Sequence, residues 1–294
     1  MTHANSVDLQ RSSMKGAAVT MLSGAPDVLV TRRTGAHLDH SGETTLCTPT
    51  FCTSRVDGVL AVQHDLQPDE ISDELAVLLA TELDDAGVLR GQSEFEAVFT
   101  GVVQSAAAGD EAWISFYRNS LDRLEHGSAA FAPVHEHAAS LIVGTDIVDL
   151  GSCFGFFPLR LAAAGLRVTA TDLSGPTMDL LDRVSGPLRR TVRTLRCDAA
   201  RVPLPDGAAD TVTVLHLLEH LDAASAGSVL REAVRLARRR VIVAVPFEDV
   251  PRACYGHVQR FDDGVLRVIA DAWRASGVRA GVHEYHGGWL ILDR

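Results

Sequence analysis

The stretch Ile147-Val148-Asp149-Leu150-Gly151-Ser152-Cys153-Phe154-Gly155 constrains this chain more than any other. A short apolar run carrying an acid leads straight into a glycine turn, and the sequence beyond it turns helical. That order describes a buried strand whose carboxyl end opens onto a helix, the place where open α/β sheets bind nucleotide-like ligands. The glycine spacing narrows the ligand. Dinucleotide folds use G-x-G-x-x-G so that the backbone can approach a pyrophosphate. Here Cys153 fills the second glycine position and Phe156 the third, and the pattern is D-x-G-x-x-x-G. It speaks against a dinucleotide-dependent oxidoreductase.

From Asp146 onward, short β-rich runs alternate with helical segments, which predicts a three-layer α/β sheet. The predicted strands are Ile147 to Leu150, Arg167 to Thr171, Thr194 to Arg196, Thr211 to Leu215 and Val241 to Val245. Two closing runs, Arg279 to Tyr285 and Trp289 to Leu292, flank Gly287-Gly288 as a hairpin. A helix is expected from Pro176 to Val184. Upstream, residues 1 to about 40 lack periodicity and read as poorly ordered, with Val28-Leu29-Val30 a possible edge strand. Thr50 to Arg55 and Val59 to His64 read as a hairpin turning at Asp57-Gly58. Pro68 to Asp85, Ala112 to His126 and Val134 to Val143 read as helices. Residues 1–110 are therefore taken as an N-terminal extension, partly disordered, with a hairpin and a helix, that caps a pocket in a domain over residues 111–294.

The formal net charge of −11 disfavours a polyanion as substrate, since phosphate backbones need concentrated Lys and Arg. The Arg189-Arg190 and Arg238-Arg239-Arg240 clusters fall where a helix ends or a strand begins and read as surface. Five scattered cysteines make no disulfide framework, and Cys47 and Cys52 lack the second close pair of a structural zinc site. A reducing cytoplasm is the expected location. No apolar run approaches the roughly 18 residues that would cross a bilayer.

Asp172 ends the second predicted strand about 20 residues beyond Gly151, where an acid can accept both hydroxyls of a ribose. The alternative is a cap for the following helix, and the position at the carboxyl end of a strand favours the ligand contact. With Asp149, Gly151, Ser152, Gly155, Leu173 and Asp198 it marks the carboxyl ends of three successive strands. His216 and His220, in His216-Leu217-Leu218-Glu219-His220-Leu221, follow the fourth strand at the mouth of the same pocket. Glu219 is misplaced for the H-E-x-x-H zinc signature, and no metal is predicted. After the fifth strand, Glu248, Tyr255, His257 and Arg260 offer an acid, a phenol, an imidazole and a guanidinium, an inventory suited to a polyhydroxylated molecule.

The D-x-G-x-x-x-G turn, the two further acids and the closing hairpin resemble class I S-adenosylmethionine (SAM) dependent methyltransferases. Pro203-Leu204-Pro205-Asp206-Gly207-Ala208-Ala209-Asp210 is similar to that family's approach to its fourth strand, with the aromatic members replaced by Leu204 and Ala209. The resemblance implies a Rossmann-like three-layer sandwich with a seven-stranded sheet, the last strand antiparallel and inserted between the fifth and sixth. It also implies SAM as methyl donor, its methionine end beside Gly151, with Asp198 accepting from the adenine amino group and the Ala199 N–H reaching a ring nitrogen. His220 matches a histidine that faces the acceptor in "L-E-H-L" methyltransferases, and a role in orienting the loop stays open beside that one. More narrowly, Gly151 to Pro158, the His220 loop, Pro246-Phe247-Glu248, Tyr255-Gly256-His257 and the segment around Trp113 and Phe116 look like the mycofactocin oligosaccharide methyltransferases. That likeness implies O-methylation of a sugar hydroxyl with His220, His257 and Glu248 as catalytic groups, and Tyr117 and Arg118 on the methionine carboxylate. Gln259 departs from related loops, which often carry arginine there. Three alternatives stand beside this reading: a divalent metal holding two vicinal hydroxyls, another small hydroxylated acceptor, and a SAM-binding module without catalysis.

Overall fold

The computed structural model describes residues 27–33 and 44–294. The expectation of a poorly ordered start falls largely outside them. The first sheet comprises β1 (Val28–Arg32), β2 (Thr44–Cys47), β3 (Phe51–Val56) and β4 (Val59–His64) in the order β1-β4-β3-β2. The β1 strand is an edge strand, as its short apolar run suggested, and runs parallel to β4 with Val28 opposite Leu60. The β3–β4 hairpin turns at Asp57 and Gly58, both at positive φ (50° and 85°), which is the geometry that a two-residue hairpin favours.

The chain continues through α1 (Leu75–Leu79), which runs into a π-helical turn (Ala80–Asp84), then α2 (Gln92–Ala106), α3 (Asp110–Glu125) and α4 (Ala132–Leu141). The helix expected from Pro68 starts seven residues late. Asn119 Nδ2 donates to the carbonyls of Pro68 and Ile71 (both 2.8 Å), and the Asp73 N–H donates to Ser120 Oγ (2.8 Å). These tertiary bonds take up the backbone groups with which a helix would have begun. The α2 helix is absent from the sequence-based reading, although Phe95, Val98, Phe99, Val102, Val103 and Ala106 form a buried stripe at helical spacing. It covers the first sheet so closely that a Cβ at Gly101 would lie 2.5 Å from Val30 Cγ2.

The second sheet has seven strands: β5 (Asp146–Leu150), β6 (Arg167–Asp172), β7 (Arg193–Arg196), β8 (Ala209–Leu215), β9 (Ala237–Val245), β10 (Arg279–Glu284) and β11 (Gly288–Asp293). Their order is β10-β11-β9-β8-β5-β6-β7, and β11 runs antiparallel to both neighbours. This is the predicted Rossmann-like class I methyltransferase sandwich. Between strands lie α5 (Phe156–Ala163), α6 (Gly175–Ser185), α7 (Ala223–Leu236) and α8 (Asp263–Ala275). Alternate strand residues feed opposite faces, as a period of two requires. Val241, Val243 and Val245 join Val229, Leu230 and Leu266 on one face, while Ile242 and Ala244 join Val134, Ala138, Phe157 and Leu161 on the other. The core around α2 and α3 also takes in Leu159, Leu181 and Val184, so the extension and the large sheet share packed side chains.

Two further expectations meet the structure here. Arg238 pairs with Asp146 and Asp210 and Arg240 with Asp293, so two members of the second basic cluster are held in ion pairs. Cys47 and Cys52, expected to be free, are disulfide-bonded: they face each other across the β2–β3 ladder with Cα atoms 4.1 Å apart. Ladder register, invisible in the spacing of the cysteines, brings the two sulfurs together. Among the described residues no helix is long and apolar enough to cross a membrane.

Candidate functional site

The site begins where β5 ends. Gly151, Cys153 and Gly155 take φ values of 69°, 48° and 73°, three left-handed residues within five that reverse the chain into α5. A Cβ would lie 2.7 Å from Leu217 Cδ1 at Gly151 and 2.4 Å from Leu181 Cδ2 at Gly155, so both positions need glycine for space as well as for φ. The turn is tied to β6: the Ser152 N–H donates to the Thr171 carbonyl (2.8 Å), and Ser152 Oγ donates to the Asp149 carbonyl (3.1 Å) while accepting from the Thr171 N–H (3.1 Å). Phe154 stacks on Phe99 (ring centroids 5.7 Å) and meets Trp113 and Phe116. The phenylalanines that set this turn apart from a dinucleotide loop thus anchor it to α2 and α3.

Three carboxylates lie at the carboxyl ends of β5, β6 and β7. Asp149 is buried beneath the glycine turn and accepts from Thr213 Oγ1, and burial pushes its pKa up to about 6. Asp172 accepts from the Cys153 N–H through Oδ2 (2.9 Å) and from the Ser174 N–H through Oδ1 (2.8 Å). The cap of α6 is Ser174, which accepts from the Thr177 N–H, so capping the helix falls to Ser174 and not to Asp172. Asp172 fixes the turn, and each of its oxygens keeps a lone pair for a ligand hydroxyl. Beside it Leu173 is 72 % exposed, an apolar surface at the end of β6 on which a planar base can lie. Asp198 accepts from the Ala200 N–H through Oδ1 (2.8 Å), with half-buried Ala199 between them.

Tyr117 and Arg118 part company. Tyr117 is fully buried against Phe116 and Phe156, its hydroxyl has no hydrogen-bond partner among the described residues, and burial raises its pKa. Arg118, one position on along α3, is exposed and pairs with Glu111 at 3.6 Å. Asp73 is a neighbour that sequence reasoning missed. Burial pushes it up to about 6, and with Asp172 it adds to the burial that pushes the Cys153 thiol up to about 12, although Cys153 is exposed at the cleft surface. No local signal marks Asp73, because its position depends on Asn119 and Ser120 holding the 68–74 segment.

The loops after β8 and β9 close the cleft. His216, at φ 52°, donates its N–H to the Ala244 carbonyl (2.9 Å), and its Nδ1 lies 3.1 Å from Glu219 Oε1. Its ring meets Phe131 edge-on (4.9 Å). Leu217 covers Gly151, which joins this loop to the glycine turn. A 3-10 turn over Leu218–His220 follows, and the His220 and His257 rings stand nearly perpendicular with centroids 4.9 Å apart. His257 Nδ1 is 2.8 Å from Glu248 Oε2. Two backbone bonds from Val258 and Gln259 to the Glu219 carbonyl (2.8 and 3.3 Å) strap the loops together, and Gln259 Nε2 donates to the Leu218 carbonyl (2.8 Å). Burial lowers the pKa of His220 against the opposing pull of Glu219. Of the four polar groups expected on the second loop, His257 meets His220 and Glu248 bonds to His257. Tyr255 packs on Phe95 with its hydroxyl 3.4 Å from the Ala76 carbonyl, and Arg260 pairs with Asp262 on the surface. Glu219, at 1 % exposure, is a second missed residue.

The family model described as a methyltransferase domain matches residues 148–245, the span from β5 through β9 that carries the glycine turn, Asp172, Asp198 and the His216–His220 loop. Among solved structures the chain is similar to the PH0226 protein of Pyrococcus horikoshii OT3 (TM-score 0.49, 13% identity, 59% of this chain and 92% of that one). It is also similar to a SAM dependent methyltransferase from Aquifex aeolicus (TM-score 0.44, 15% identity, 59% and 97%). A third is the magnesium protoporphyrin IX methyltransferase of Synechocystis PCC 6803, solved with bound SAM (TM-score 0.42, 18% identity, 64% and 83%). At these identities the likeness is one of fold. No curated protein matches the chain.

Proposed function

We propose that this protein, a SAM-dependent methyltransferase by fold and family match, transfers the methyl group of SAM to a sugar hydroxyl, most narrowly one on the oligoglucose chain of mycofactocin. The observation that carries the reading is the His220–His257 pair, backed by Glu248, on loops that touch the glycine turn through Leu217.

In this reading the ribose hydroxyls of SAM bond to Asp172, and the adenine lies on Leu173 with its edge toward Asp198 and Ala199. The methionine end lies beside Gly151 and Ser152, where the buried acids Asp149 and Asp73 suit its cationic groups and the unpartnered Tyr117 hydroxyl suits its carboxylate. A lone pair on the acceptor oxygen forms the new bond to the methyl carbon as the C–S bond breaks, and its electrons stay on sulfur. Transfer therefore depends on in-line alignment and on loss of the hydroxyl proton. His220 and His257 activate the hydroxyl, with Glu248 fixing the tautomer and tilt of His257. A neutral, polyhydroxylated acceptor is favoured by the mouth of imidazoles and carboxylates and by the net charge of −11, which repels a polyanion. The mycofactocin glycan rests on the motif resemblance of the turn and the two loops.

The test is transfer from SAM to a glucose oligosaccharide by His220→Ala and His257→Ala, with SAM affinity measured by calorimetry. The expected result is a kcat lower by about 10²- to 10⁴-fold in at least one variant with SAM binding retained. Full activity in both overturns the assignment.

A further inference from the structure

Among the described residues, Glu219, His220 and His257 each offer a ligand atom, and all three atoms lie within 4.8 Å of one another. We propose that these three side chains bind a divalent first-row transition-metal ion whose open coordination position faces the methyl acceptor. Sequence spacing gives no zinc signature, because the third ligand arrives from the loop after β9.

Three features make this a built site. Glu219 is buried, and its Oε2 has no hydrogen-bond partner among the described residues, while Oε1 is taken up by His216. A buried carboxylate oxygen without a partner is costly, and a cation between Glu219 and the two imidazoles removes that cost. The second feature is the Glu248–His257 bond: a carboxylate on Nδ1 leaves Nε2 to ligate, the arrangement that orients metal-binding histidines. The third is rigidity, since the strap from Val258 and Gln259 to Glu219 holds the ligand-bearing loops in register. At bond lengths of roughly 2.0–2.2 Å the ligand atoms of a tetrahedral ion lie about 3.3–3.6 Å apart, so side-chain rotations that bring the three atoms up to about 1.5 Å closer together close the site. Two imidazoles and one carboxylate select manganese, iron, cobalt or zinc over magnesium and calcium, which prefer all-oxygen shells.

Three protein ligands leave a position open, as in catalytic metal sites. The role of the ion in transfer rests on the methyltransferase reading, whereas its binding does not. With the ion bound, His220 and His257 activate the hydroxyl as ligands and not as bases: the acceptor hydroxyl occupies the open position and loses its proton to water. The resulting alkoxide donates its pair to the methyl carbon, and the C–S bond breaks with its pair retained by the neutral thioether.

The experiment titrates the chelator-treated full-length protein with Co2+ and follows visible absorption. The expected result is an absorption band saturating at one Co2+ per chain. That band is lost in Glu219→Gln and in His257→Ala while calorimetry shows SAM binding retained in both. Glu248→Ala, which removes the orienting carboxylate, weakens Co2+ binding by about 10- to 100-fold. No band in the wild-type protein, or a band that survives both ligand substitutions, overturns the site. Methyl transfer is assayed separately: Co2+ binding without transfer to any hydroxylated acceptor sinks the functional reading and leaves the site standing. Transfer undiminished by exhaustive chelation, in a protein that gives no Co2+ band, does the reverse.

Discussion

Asp149 lies beneath the glycine turn with its carboxyl buried and bonded to Thr213, and its titration ties the site to the stability of the fold. An aspartate in an unfolded chain titrates near 4; burial moves Asp149 up to about 6. The folded state therefore holds this proton more tightly than the unfolded state does. The stabilisation is full below about pH 4 and is lost as the pH rises through about 6. Asp149→Asn keeps an oxygen for the Thr213 hydroxyl and removes the ionisation. Urea unfolding of the variant should show a pH dependence between about 4 and 6 that is flatter by up to about 3 kcal/mol. Asp73, also pushed up to about 6, adds a slope of the same sign that this variant leaves in place. An unchanged slope would show that Asp149 titrates normally. At this scale, residues in short motifs were legible from the sequence: the glycines, Asp172 and the two histidines. Glu219 and Asp73 were not, because burial and tertiary hydrogen bonds give them their character.

The strands and helices of the large sheet follow the sequence periodicity closely, since each parallel strand is a short apolar run bounded by a helix. The N-terminal elements follow it less well. The start of α1 is decided by Asn119 and Ser120, far along the chain, and no local pattern announces that competition. The α2 stripe is visible in the sequence at helical spacing, from Phe95 to Ala106. Between elements, the strap joining the post-β8 and post-β9 loops sets the spacing of His220 and His257. In Gln259→Ala the Leu218 carbonyl loses its side-chain donor and keeps the Leu221 N–H, at a cost of about 0.5–1.5 kcal/mol. The expected result is a lower kcat with SAM affinity unchanged, measured by steady-state kinetics beside calorimetry. Wild-type kcat would show that the backbone bonds alone hold the loops.

Across the whole molecule, the α2–α3 layer and the glycine turn share one aromatic cluster, Phe99, Trp113, Phe116, Phe154 and Phe156. A fragment of residues 111–294 exposes that cluster and loses Phe99 from it. Its near-UV circular dichroism should be weak and its unfolding non-cooperative, and a fragment that melts sharply would show the extension to be dispensable for the fold. The extension also meets the loop after β9, where a Cβ at Gly256 would lie 2.5 Å from Gln92 Oε1 at the start of α2. The glycine turn, the loops after β8 and β9 and the N-terminal layer thus pack as one unit, and the central proposal is that this unit moves a methyl group to a sugar oxygen. The most direct measurement incubates the full-length protein with a glucose oligosaccharide and SAM carrying a deuterated methyl group, and follows the oligosaccharide by mass spectrometry. The account predicts an oligosaccharide heavier by one labelled methyl group, fragmenting as an O-methyl sugar; an unchanged oligosaccharide from a protein shown to bind SAM would contradict it.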